Sequence, residues 1–222
     1  MENGSNRTRF DDNHMNSNLN CYAITKSANL LYSIDICCVK TDCIDDYSDK
    51  NLFTALCCTG CINYNKKWSC PPRSPDYQDV STGWDNLFVL FARMELSQLS
   101  YVKNDYLKIK AANSILKSRA DKFLRHMAAK HGNYISTGSC RLCKPCKCKI
   151  GSPCAHPELM TYSFEAMGVD VGKLVIELFH VPLLWYKPHN LPEYTSVVCG
   201  LLTNSEITVE DLQDEYMKYI TN

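Results

Sequence analysis

The 222-residue chain carries no surplus of either charge: Lys+Arg and Asp+Glu both number 24, for a formal net charge of zero. No global basic field is therefore available to draw nucleic acid or an anionic membrane surface. No stretch reaches the ~18 apolar residues that a membrane-spanning helix requires. No apolar segment interrupts the polar opening MENGSNRTRFDDNHMNSNLN, so no secretory signal is read there. A phosphate-cradling glycine loop is missing too, as is any defensible Ser-His-Asp order. These absences set aside a membrane span, a nucleotide-phosphate loop and a serine-hydrolase site. Apolar residues make up 45% and charged residues 22%, which fits an ordinary globular protein. The length suits one generous domain or two small ones.

The residue in excess is cysteine, with 14 copies. In a chain with no signal segment, such richness points to metal binding in the cytoplasm rather than to a disulfide framework. The vicinal pairs Cys37-Cys38 and Cys57-Cys58 also fit poorly with simple disulfide stapling. The densest stretch is GSCRLCKPCKCKIGSPCAHP over 138–157, which holds Cys140, Cys143, Cys146, Cys148 and Cys154. Cys140, Cys143 and Cys146 keep C-x-x-C-x-x-C spacing, so one loop can turn three thiolates toward one centre. Bacterial ferredoxins hold a cubane [4Fe-4S] cluster with such a triplet plus one further cysteine. Cys154 is the natural fourth ligand here, leaving Cys148 spare or able to replace Cys146 or Cys154. Zinc sites more often show two separated C-x-x-C pairs or a Cys pair with a His pair, and zinc is the alternative.

A second cysteine group lies in NLFTALCCTGCINYNKKWSCPP, over 51–72. Cys58, Cys61 and Cys70 give C-x2-C-x8-C, with Cys57 a possible substitute or fourth ligand. Pro71 and Pro72 stiffen the chain just after Cys70. Tyr64 and Trp68 could wall the site from solvent, which would help set a cluster's potential. A cluster held by thiolates is anionic, and burying it calls for nearby cations and donors. Arg141, Lys144 and Lys147 are interleaved with the second group of cysteines, and Lys66, Lys67 and Arg73 flank the first. The run from Arg141 to Lys149 contains no aromatic residue on which a base could stack, which argues against nucleic acid.

The rest of the chain reads as scaffold. Residues 1–20 form a polar tail expected to be disordered, and 21–222 form a single cysteine-rich domain with a front loop at 57–72 and a second at 138–157. Strands are expected over 28–39, 86–94, 133–137, 183–186 and 196–202. A long amphipathic helix is expected over 104–130, stopped by Gly132, then one over 171–179 capped by Asp170 and one over 207–220. Alternating strands and helices predict an α/β or α+β fold: a central mixed sheet flanked by helices, with two metal loops projecting from it. Cys37, Cys38 and Cys199 fall on strand patterns and are read as packing thiols.

At CCTGCINYNKKWSCPP, GSCRLCKPC, SPCAHPE and SFEAMGVDV the chain resembles an uncharacterised family of predicted metal-binding proteins, domain of unknown function 2284. The resemblance spans roughly residues 30–202. It implies a metal or iron–sulfur protein of the reducing cytosol and supplies no reaction. Two positions depart from the family pattern: Asn65 stands where glycine is usual, and Ala155 where arginine follows the last cysteine. Asn tolerates positive φ better than other non-glycine residues, so the turn at Asn65 can survive the exchange. The combined expectation is one or two [4Fe-4S] clusters. They would serve electron transfer with a redox partner protein, or reductive or Lewis-acid chemistry on a small-molecule substrate. The alternative is a zinc-stabilised interaction module without catalysis.

Overall fold

The computed structural model describes residues 17–188 and 190–221. Most of the expected tail thus lies outside the described residues, while 17–20 form the first half of a strand. The longest apolar strand pattern, NLFVLFARM, becomes β3 (Asn86–Glu95), buried on both faces. Such double burial is why it reads as a continuous rather than an alternating apolar run. β3 lies between β2 (Asn29–Lys40) and β5 (Tyr194–Thr203). β1 (Ser17–Ile24) and β4 (Gly132–Ile135) complete a five-stranded sheet in the order β1-β2-β3-β5-β4.

The α+β alternative is the one observed, and the sheet differs from expectation in being wholly antiparallel rather than mixed. The reason lies in one insertion. β3 and β4 point the same way and are joined across the sheet by α3 (Asp105–His131), the arrangement that normally yields a parallel pair. β5 inserts between them and forms antiparallel ladders with both, splitting the unit.

Register divides the core into two layers. On one face Ile36, Leu90 and Cys199 share a row, and α3 and α5 (Val209–Thr221) cover it with Leu116, Phe123, Leu212 and Tyr216. There the buried hydroxyls of Tyr32 and Tyr216 meet at 2.7 Å, satisfying two polar groups that would otherwise be stranded. On the other face Cys37, Val89 and Gly200 share a row, under α4 (Val171–Phe179) and the segment carrying Phe164 and Met167. Asp170 caps α4 as expected, its carboxylate accepting from the Lys173 N–H at 3.0 Å.

Three local readings are corrected. The expected strand at 183–186 is irregular chain between Pro182 and Pro188, and prolines deny a ladder its donors. β1 escaped notice because its only fully buried side chains are Cys21 and Ala23, with Leu19 partly buried and the rest polar or exposed. The front cysteine stretch opens as helix rather than loop: α1 runs Lys50–Gly60 and places Cys57 and Cys58 on its last turns. Among the described residues no helix is long and apolar enough to cross a membrane.

Gly200 seats the second layer. A Cβ there would lie 2.8 Å from Leu87 Cδ1, 3.0 Å from Phe164 Cζ and 3.1 Å from the Phe88 carbonyl oxygen. Gly200→Ala should lower unfolding stability by about 1–3 kcal/mol through overpacking, read as a shift in urea midpoint. An unchanged midpoint would mean that Phe164 is free to move away.

Candidate metal centre

Asp49 starts α1 by accepting from the Leu52 N–H at 2.9 Å. None of the helix's residues is fully buried, so its position depends on polar contacts at its ends. The main one is Lys50. Its ammonium donates to the carbonyls of Ser74 (2.8 Å), Pro75 (2.7 Å) and Ala166 (2.9 Å) and to the Ser74 hydroxyl (3.0 Å). Burial lowers the Lys50 pKa, against the opposing pull of Asp76, whose carboxylate lies 3.8 Å away. Gly168 fits beneath this junction at φ 95, where a Cβ would stand 2.7 Å from Lys50 Cα. The neighbouring backbone bonds run from Asp49 N–H to the Gly168 carbonyl (2.8 Å) and from Asp170 N–H to the Tyr47 carbonyl (2.7 Å).

Helical phase decides which front thiols meet. Cys57 and Cys61 are four residues apart and share one side of the turn, whereas Cys58 is rotated away. Burial raises the Cys57 thiol pKa first, followed by the adjacent Cys61 thiol and the Glu165 carboxylate. Cys70 is buried and pushed up to about 11, mainly by desolvation; Cys61 and Cys57 push the same way, while the Ser69 hydroxyl and Lys67 ammonium pull it down. The thiols close enough to perturb one another are therefore those of Cys57, Cys61 and Cys70. Cys58 is exposed and adjoins Tyr64, whose hydroxyl pKa it raises.

The second loop leaves the sheet at its β4 edge. Asp121 on α3 fixes the exit, accepting from the Thr137 N–H at 2.9 Å and its hydroxyl at 3.0 Å. Cys140, Cys143, Cys146 and Cys154 are half-buried along the loop. Cys140 and Cys154 both flank Tyr162, whose hydroxyl pKa is raised by burial first and then by these two thiols. Cys148 is buried, with its sulfur 3.9 Å from the Asn65 carbonyl, so it packs one loop onto the other. Arg141, Lys144 and Lys147 are exposed.

The two loops are stitched together. Lys67 donates to the Ser139 hydroxyl (2.9 Å) and the Cys140 carbonyl (2.8 Å). The Cys140 N–H donates to the Ser69 hydroxyl at 3.0 Å, and the Trp68 indole N–H to the Ser152 carbonyl at 3.0 Å. Trp68 thus serves as a strut, with the Arg73 guanidinium over its ring at 5.0 Å. Asn65 adopts φ 54, the left-handed geometry that a glycine would take without strain. Arg73 steadies it by donating to the Asn65 side-chain oxygen.

All 14 cysteines are free thiols. Among the described residues no three Cys, His, Asp or Glu side chains already converge into a metal cage. The donor set nonetheless fits a thiolate-bound metal: unpaired soft sulfurs on two joined loops, with Lys50 and Lys67 beside them. Sequence reasoning placed Lys67 at this site but missed Lys50, which no cysteine spacing flags.

The profile of a family described as "Predicted metal-binding protein (DUF2284)" matches residues 43–202. No curated protein and no solved structure matches the chain.

Lys50→Met would leave the Ser74, Pro75 and Ala166 carbonyls without their donor. It should cost about 2–3 kcal/mol in urea unfolding and slow alkylation of Cys57, whose thiolate loses a favourable cation. Within the wild-type chain, Cys58 and Cys61, the two exposed thiols, should be alkylated first. Cys37 should be among the last, because burial pushes its pKa up to about 12 and removes the reactive thiolate. Peptide mass mapping after timed iodoacetamide labelling checks both, and early labelling of Cys37 would contradict its place in the core.

Proposed function

The chain belongs to the family of predicted metal-binding proteins (DUF2284), and on that premise we propose that it is a cytoplasmic iron–sulfur protein with two [4Fe-4S] sites. Cys57, Cys61 and Cys70 would hold the front cluster, and Cys140, Cys143, Cys146 and Cys154 the second. When bound, such clusters supply one-electron transfer, and one held by only three protein thiolates also offers a Lewis-acidic iron to a small molecule.

The observation that carries this reading is the joint between the loops: Lys67 and Ser69 both bind the backbone of Cys140. Electron transfer weakens steeply with distance, and a rigid joint keeps two thiol groups close. A lone structural zinc would need only one of them. The cations suit anionic clusters, since Lys50 and Lys67 oppose the burial that raises the pKa values of Cys57 and Cys70 respectively. Cys58, turned outward beside Tyr64, is left out of the front set. Cys148 is left out of the second because its sulfur faces Asn65. A redox partner protein or a small-molecule substrate completes the reaction, and nucleic acid is not a ligand.

The test is iron, sulfide and zinc content, with EPR spectra, on the full chain purified without oxygen. About eight irons and eight sulfides per chain are expected for two cubanes. Cys61→Ser and Cys143→Ser should each remove about half of both and leave the other site's spectrum intact, while Cys58→Ser removes neither. Loss of both signals from either single substitution would overturn the two-site assignment. Stoichiometric zinc without sulfide would make the protein an interaction module instead.

A further inference from the structure

A cavity of about 300 Å³ lies between α3, β5 and the irregular segment 183–186, with Asn113, Lys117, Glu165, Leu184, Trp185 and Val198 in its wall. Its volume is at the lower end for small-molecule sites. Three of the polar side chains that line it, Asn113, Lys117 and Glu165, make no hydrogen bond among the described residues. Among the described residues, the half-buried Lys117 ammonium makes no hydrogen bond or ion pair; it sits beside Gly138, 3.4 Å from where a Cβ there would stand. Asp121, the nearest carboxylate on the same helix, is engaged by Thr137. Asn113 Oδ1 is buried with no partner, and the Glu165 carboxylate likewise accepts no hydrogen bond from a described residue. Beside them Leu184 and Val198 are apolar, and Trp185 is 71% exposed.

We propose that this cavity binds a free α-amino acid with an apolar or aromatic side chain. The half-buried Lys117 ammonium feels Glu165 and Asp121 but makes an ion pair with neither, so it takes the carboxylate end. A protonated amine is the donor that both Asn113 Oδ1 and the Glu165 carboxylate lack. The side chain then lies on Leu184 and Val198 and covers the open face of Trp185. Lys117 and Glu165 present opposite charges to the same cavity, and a molecule with only one charged group would complement only one of them.

Glu165 also acts on Cys57, so the cavity adjoins the front thiols. That the amino acid is a substrate there rests on the iron–sulfur reading, whereas its binding does not.

The experiment is calorimetric titration of the full, anaerobically purified chain with L-phenylalanine and L-leucine. 3-Phenylpropanoate, which lacks the amine, and 2-phenylethylamine, which lacks the carboxylate, serve as controls. At least one amino acid should bind, each control about tenfold or more weaker, and Lys117→Met should weaken binding about tenfold with melting temperature unchanged. If Lys117→Met fails to fold, Asn113→Leu makes the same demand on the amine end. No binding at millimolar concentration, equal binding of either control, or indifference to both substitutions would overturn the proposal. Metal and sulfide are assayed on the same sample. Binding without iron would refute the iron–sulfur reading alone, and iron without binding would refute this one alone.

Discussion

A single ammonium holds the candidate centre together. Lys50 is the first residue of a helix that buries nothing fully, yet its side chain is only 20% exposed and reaches three backbone carbonyls from two distant segments. Taking a charge out of water is costly, and the downward shift of its pKa reflects that cost. Charge-assisted hydrogen bonds to otherwise stranded carbonyls offset it. A compact ammonium with three donors suits carbonyl oxygens that converge from several directions, whereas the planar fork of an arginine suits a carboxylate. Remove that charge, and α1 loses its main link to the segment around Gly168, which itself is anchored on the sheet through Phe164.

Lys67 performs the same task one loop further on. Its contacts run to the second cysteine loop, so each of the two lysines both binds backbone and opposes the burial that raises the pKa of a nearby thiol. The structural cations and the electrostatic cations of this site are the same residues. The lysines that punctuate the second loop, Lys144 and Lys147, are exposed, where solvent and salt screen them. A charge's worth to a thiolate depends on its burial, which sequence proximity does not report.

The division between what was legible and what was not follows the range of the interactions. Caps, turns and buried strands are local, and β3, β5, α3 and α4 appear where the residue pattern puts them. Asn65 adopts the left-handed geometry inferred from its place in the family pattern. The misreadings come from tertiary context. β5 inserts between β3 and β4 and turns an apparent parallel unit into antiparallel ladders. Cysteine spacing names Cys58 with Cys61 and Cys70 and keeps Cys57 as a substitute or fourth ligand, whereas in the helix over 50–60 Cys57 and Cys58 point in different directions and Cys57 shares the side of Cys61. A spacing rule assumes an extended loop and loses a residue's phase when the loop is a helix.

The same reasoning partitions the cysteines. Cys21, Cys37 and Cys199 lie on strands with their sulfurs in the core, and burial raises the pKa of each. They behave as small hydrophobes whose thiolates are suppressed, and a metal could take them only by dismantling the sheet. The loop thiols are in a different physical setting: none contributes to a strand face, and their nearest charged neighbours include lysines fixed by backbone bonds. Burial does not separate the two groups cleanly, because Cys70 and Cys148 are buried as well. Burial pushes the Cys70 pKa up against the opposing pull of Ser69 and Lys67, while the Cys148 sulfur lies 3.9 Å from the Asn65 carbonyl oxygen. Proximity rather than ionisation sets Cys57, Cys61 and Cys70 apart: Cys61 acts on Cys57 and both act on Cys70, whereas Cys148 packs one loop onto the other.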